Sequence, residues 1–145
     1  CNLKEEDFTE VIKIDKLIDL EEATFEFANE LLVMEPFGKG NREPVFMTEG
    51  VIIEELRVIE NKNTLIFTFG TGDNYRKIKA ISFGKVDYFK DLLSDLFDKN
   101  TCDKIISGVL GNIVLKFDIV YFISINEFNN NVSVQLKLKD FRFSN

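Results

Sequence analysis

After Pro44 the apolar pattern changes from the three- and four-residue steps of a helix to alternation, and the order of segments that follows leaves few folds open. Runs with strand character fall at 45–47 continuing into 51–59, then at 65–69, 77–83, 112–126 and 132–143. Between the third and fourth of these strands, Phe89, Leu92, Leu93, Leu96 and Phe97 recur at helical spacing and predict an amphipathic helix over 86–99. The joints carry turn chemistry: Asn61-Lys62-Asn63, Gly70-Thr71-Gly72-Asp73-Asn74 and Asn129-Asn130-Asn131.

Three strands, a helix and two strands is the element order of the OB-type barrel, so the expected fold class is mostly β with accessory helices: five strands, with a helix between strands three and four. The closing strands are one-sided. Ile113, Leu115, Phe117, Ile119, Ile123 and Ile125 on one, and Val132, Val134, Leu136 and Leu138 on the other, are expected to line the interior.

Ahead of the sheet lies a different kind of chain. A short strand is expected at 11–14, followed by Asp19 as an N-cap and a helix of about four turns carrying Leu20, Ala23, Phe27, Leu31 and Met34 on one stripe. It should stop before Glu35-Pro36, because the residue before proline is driven out of the α region. Pro36, Phe37, Gly38, Gly40, Asn41 and Pro44 then form a structured turn. The reading divides the chain into an acidic arm and helix at 1–35 and a barrel domain at 36–145.

Charge follows the same division. Residues 1–35 hold 11 acidic and 3 basic side chains, whereas 36–145 hold 14 and 15, so the net charge of −7 belongs to the arm. A nearly neutral barrel cannot hold nucleic acid by bulk charge and must rely on a local strip of cations with stacking rings. Cys1 in place of Met favours a piece excised from a longer chain over a mature lipoprotein. Two cysteines make no disulfide framework, which points to a reducing cytoplasm.

Histidine is absent from the whole sequence, which removes Ser-His and Cys-His catalysis and every His-containing zinc site. Asp87, Asp91, Asp95 and Asp98 imitate a row of metal ligands but read better as a solvated helix face. Gly38-Lys39-Gly40-Asn41 lacks the Gly-Lys-Ser/Thr ending of a phosphate loop, and Cys102 has no partner base. No catalytic and no metal residue is assigned. What is left is a binding surface: Arg57, Lys62, Phe69, Tyr75, Arg76, Lys77 and Lys79 on the second and third strands and their loops, with Phe128 at the hairpin tip.

The stretch from Glu35 through Gly38-Lys39-Gly40-Asn41 to Phe46 resembles the segment that opens the OB domain of the RecJ family of single-strand-specific DNA exonucleases. Ile12-Lys13-Ile14-Asp15, Ile78-Lys79-Ala80-Ile81-Ser82-Phe83, Ile125-Asn126-Glu127-Phe128 and Gln135-Leu136-Lys137-Leu138-Lys139-Asp140-Phe141-Arg142 are similar to that family in the same order. The resemblance implies a 5′ to 3′ exonuclease on single-stranded DNA in recombination and repair, with manganese or magnesium held in upstream DHH and DHHA1 domains. It implies that this chain holds DNA without cutting it, and that the acidic arm and helix at 1–35 are a connector, the tail of the preceding domain. The pattern departs at Thr64-Leu65-Ile66-Phe67, where the family often has His-Leu-Lys, so strand two offers one cation fewer. The alternative is a structural domain that docks on the nuclease core through outward residues such as Val120 and Phe122.

Overall fold

The structure, a computed structural model, describes residues 13–32, 43–71 and 76–144. Its strands are β1 (Lys16–Leu17), β2 (Phe46–Ile59), β3 (Thr64–Gly70), β4 (Lys77–Phe83), β5 (Lys116–Phe128) and β6 (Asn131–Phe143). The helices are α1 (Phe25–Leu32), α2 (Val86–Ser94) and α3 (Lys99–Ile106), with 3-10 turns at Leu20–Glu22 and Glu60–Lys62. The sheet runs β1-β2-β3-β4-β6-β5, and β2 pairs again with β5. That second pairing closes five strands, β2 to β6, into a ring. All neighbours are antiparallel except β4 with β6, and β1 with the first residues of β2. Closure leaves the OB-type reading intact.

One long strand can serve two partners because it bends. The first half of β2 pairs with β5 up to Ile52↔Lys116, and the second half pairs with β3 from Ile52↔Gly70 onward. An extra residue between Thr48 and Val51 makes the bend, and Gly50 takes φ +71 there, a conformation costly for any side chain with a Cβ. Buried Asp118 holds the bulge by accepting from Gly50 N at 3.0 Å, and its other oxygen accepts from Arg142 Nε at 3.0 Å.

Alternation then decides the interior. Leu65, Phe67 and Phe69 share one parity on β3, as do Ile78, Ala80 and Ser82 on β4, and all six are buried. Phe67 is the hub, with ring centroids 5.6 Å from Phe69, 5.7 Å from Phe89, 6.1 Å from Phe117 and 5.6 Å from Phe141. Leu115, Phe117, Ile119 and Ile123 of the closing strands are buried as expected, with Leu136 and Leu138. Ile113, Ile125 and Val134 reach only its margin, and Val132 is 47% exposed because the hairpin projects past the barrel. The alternation also breaks at β6. Val120 pairs with Asp140 but Tyr121 with Leu138, so one extra residue turns Phe141 inward.

Several expectations need correction. The 86–99 helix is two helices: α2 ends at Ser94, and Asp98 caps α3 by accepting from Thr101 N at 2.8 Å. A cap is stronger than the periodicity that runs through it, and Asp98 thereby leaves the supposed carboxylate row. The N-terminal helix starts later than predicted. Asp19 makes no side-chain cap and precedes only a 3-10 turn; Thr24 Oγ1 accepts from Phe27 N at 3.1 Å and starts α1 instead. Of the strand expected at 11–14, Val11 and Ile12 lie outside the described residues and Lys13 and Ile14 are not strand; β1 is a separate two-residue strand at Lys16–Leu17. Met34, the helix stop and Pro36, Phe37, Gly38, Gly40 and Asn41 of the turn also lie outside it, while Pro44 is a half-buried loop residue.

The arm is part of the core. Ile18, Leu20, Ala23 and Ala28 join the barrel's main hydrophobic cluster. Val120 is fully buried under Val45, Met47 and Ile14, with Phe122 at the margin, so the outward patch offered for partner docking is largely covered by the chain itself.

Beside the lower end of the barrel, Tyr88 donates to Phe141 O at 2.9 Å, and Lys85 reaches fully buried Asp140 at 3.4 Å. Burial and the Asp140 carboxylate push the Tyr88 phenol up to about 12. Burial pushes Tyr121 up as well, although Thr48 Oγ1, 2.6 Å from its hydroxyl, works the other way. Folding thus favours the neutral phenol: this contribution is whole below pH of about 10 and is lost as pH rises toward 12. In an ultraviolet difference titration, Tyr88→Phe should leave the absorbance change at pH of about 10.5 unaltered, although an ordinary phenol is mostly ionised there. A loss of amplitude equal to one tyrosine would contradict the burial.

Candidate nucleic-acid interface

The outer wall of β3 and β4 carries the side chains that alternation sends away from the core. Register aligns them into rows. Arg57 of β2 faces Ile66 of β3, which faces Ile81 of β4, then Lys137 of β6 and Phe122 of β5. The next row is Glu55, Thr68, Lys79, Gln135 and Ser124. One end of the wall carries Phe83, 65% exposed, paired with Thr64 next to the β2–β3 turn. Lys77 stands at the other end, opposite Gly70.

The sequence-predicted residues divide accordingly. Arg57 and Lys79 are exposed on the wall, and Lys62 is exposed on the 3-10 turn beside the Phe83 end. Phe128 is 71% exposed at the tip of the β5–β6 hairpin, where Asn129 and Asn130 both take positive φ to close a two-residue turn. Because β6 runs parallel to β4, that tip extends past the Lys77 end, and Lys62 and Phe128 bracket the wall. Lys77 is half-exposed and paired with Glu54 at 3.6 Å.

Two assignments are corrected. Phe69 is 0% exposed, because it shares the parity of Leu65 and Phe67, and its ring stacks on Phe67 rather than facing solvent. Arg76 is committed elsewhere: its Nη2 donates to Leu20 O at 3.0 Å and Ala23 O at 3.1 Å, fastening the arm to the start of β4. Tyr75 lies outside the described residues.

Sequence reasoning missed Ile81, Phe83, Gln135 and Lys137. Phe83 and Ile81 have the parity of Lys77 and Lys79, and that signal was sufficient to find them. Gln135 and Lys137 needed the β4–β6 pairing, which no local pattern announces. Lys139 also turns outward and lies 5.0 Å from the Phe122 ring centroid. Among the described residues no cluster of three or more histidine, cysteine, aspartate or glutamate side chains is placed to hold a metal ion. The manganese or magnesium implied by the resemblance therefore finds no fitting donor set there. No helix of the described residues is long and apolar enough to cross a membrane.

The five strands close into a ring with two helices between the third and fourth, and one wall carries cations with apolar groups. The sequence profile of the family described as RecJ OB domain matches residues 14–140. The chain belongs to this family. It is 28% identical over 139 residues to the single-stranded-DNA-specific exonuclease RecJ of Bacillus subtilis (strain 168), covering 95% of this chain and 15% of that protein. Two crystal structures of RecJ from Thermus thermophilus share the fold, one in complex with Mn2+ (TM-score 0.58, 18% identity) and one with Mg2+ (TM-score 0.55, 18% identity). Each match covers 92% of this chain and only 16% and 17% of the RecJ chains. The chain thus corresponds to a small share of the length of these relatives.

Proposed function

We propose that this RecJ OB domain holds single-stranded DNA for a 5′ to 3′ single-strand-specific exonuclease acting in recombination and repair in the cytoplasm. The cutting belongs to DHH and DHHA1 domains of the same polypeptide, with their manganese or magnesium. The observation that carries the reading is the β3–β4 wall, on which Arg57, Lys79 and Lys137 border Ile66, Ile81 and exposed Phe83. Cations follow phosphates without regard to sequence, and a flat ring accepts any base, so the arrangement suits an unpaired strand of arbitrary sequence. Lys62 and Phe128 extend the path at its two ends. The arm, which Arg76 fastens to the barrel through Leu20 O and Ala23 O, would serve as the link to those upstream domains.

Fluorescence anisotropy with labelled oligo-dT tests this. Binding should weaken as salt rises, with a log-log slope of about −0.7 per phosphate neutralised. A stacked base contributes on the order of 1 to 3 kcal/mol, so Phe83→Ala should lower affinity roughly 5- to 150-fold with little change in that slope. Absence of binding at low salt, or full affinity in Phe83→Ala, would defeat the stacking role assigned to this wall.

A further inference from the structure

We infer that Glu54 sets the affinity of the proposed DNA-binding wall by neutralising Lys77, an inference that rests on the single-strand reading above. Glu54 exists on the wall only because of a bulge. Ile53 pairs with Phe69 and Glu55 with Thr68, leaving Glu54 as the extra residue of β2, so two successive acidic side chains turn outward. Glu55 and Lys79 lie two strands apart, about 10 Å, with Thr68 between them. Lys77 faces Gly70, whose β2 partner is Ile52, and the Glu54 side chain reaches sideways over that glycine. The Glu54 carboxylate lies across that glycine: a Cβ at position 70 would collide with Glu54 Oε2. From there it reaches Lys77 Nζ at 3.6 Å.

Bulge, glycine and ion pair combine to place an anion where the backbone of a bound strand would otherwise meet Lys77. Among the described residues Arg57, Lys79 and Lys137 take part in no such pair. A cation already matched by a carboxylate gains nothing net from a phosphate unless the carboxylate withdraws. The wall therefore engages one phosphate fewer than its count of cations suggests, and its grip on DNA is held down at the Gly70 end. For a module that must let a strand advance, such a setting is functional rather than wasteful.

The test is a double-mutant cycle on Glu54→Gln and Lys77→Ala, read by oligo-dT anisotropy across a salt series. Glu54→Gln is expected to raise affinity about 5- to 10-fold at roughly 0.05 M salt and to steepen the log-log slope by about 0.7. Lys77→Ala alone should leave the slope unchanged while lowering affinity modestly, because it leaves the Glu54 carboxylate bare, and in the Glu54→Gln background it should abolish the gain in slope. The inference is overturned if Glu54→Gln matches the wild type in affinity and slope, or if Lys77→Ala alone flattens the slope as much as Lys79→Ala. Wild-type binding with a neutral Glu54→Gln condemns this inference and spares the single-strand reading; no binding by either protein removes both.

Discussion

Combining Arg57→Ala, Lys79→Ala and Lys137→Ala is expected to lower affinity for oligo-dT roughly 100- to 1,000-fold at about 0.05 M salt and to flatten the log-log salt slope by about 2 units. The size follows from counterion release: each phosphate neutralised on a single strand contributes about 0.7 to the slope, so three lost contacts multiply. All three side chains are exposed, and none lies in an ion pair among the described residues, so the fold should be untouched and circular dichroism unchanged. The pattern of the loss carries more information than its size. Phe83→Ala should cost affinity at nearly constant slope, because stacking releases few ions, whereas the triple variant should change both. If the triple variant kept the wild-type slope, the strand would have to bind somewhere other than this wall.

How much of this was legible in the sequence depends on whether the cause was local. Strand character along the chain is local, and it placed the limits of β4 to the residue, although no inward set was read on β3 or β4. Parity, applied consistently, places Phe69 with Phe67 inside; assigning it to the surface went against its own alternation. Bulges are where parity stops being a guide. The extra residue in β6 turns Phe141 inward, and the one in β2 turns Glu54 and Glu55 outward together, and both depend on register against the hairpin partner rather than on the strand's own pattern. In β2 a trace was present, since buried Ile53 and Leu56 stand three apart rather than two.

Capping was also legible and was misread. Asp98 followed by Thr101 is a sound start for a second helix, but the apolar stripe from Phe89 to Phe97 made one long helix look sufficient. Asp19 looked like a cap, and Thr24, five residues on, does that work. Arg76 could not have been read at all. Its partners are two backbone carbonyls more than fifty residues away, and an arginine seeking carbonyls has the same local sequence as one seeking phosphate. Long-range side-chain commitments of this kind separate a list of candidate cations from the three that the wall presents.

The largest expected loss of stability falls on Phe67, and Phe67→Ala should cost about 3 to 5 kcal/mol, lowering the melting temperature on the order of 10–15 °C. Its ring meets β3 through Phe69, α2 through Phe89, β5 through Phe117 and β6 through Phe141, so four elements would face the same cavity. They cannot close on it easily. Barrel closure fixes the distance across the ring, and α2 rests on the same aromatic cluster. Phe67→Leu keeps much of the apolar volume and should cost clearly less, while Phe128→Ala, at an exposed hairpin tip, should stay within about 0.5 kcal/mol of the wild type. Thermal unfolding of the three variants checks the order, and a Phe67→Ala protein as stable as Phe128→Ala would mean that the barrel is not held by this ring. Because the wall's rows exist only while β3, β4 and β6 keep their register, the aromatic centre and the cations outside it are two sides of one construction.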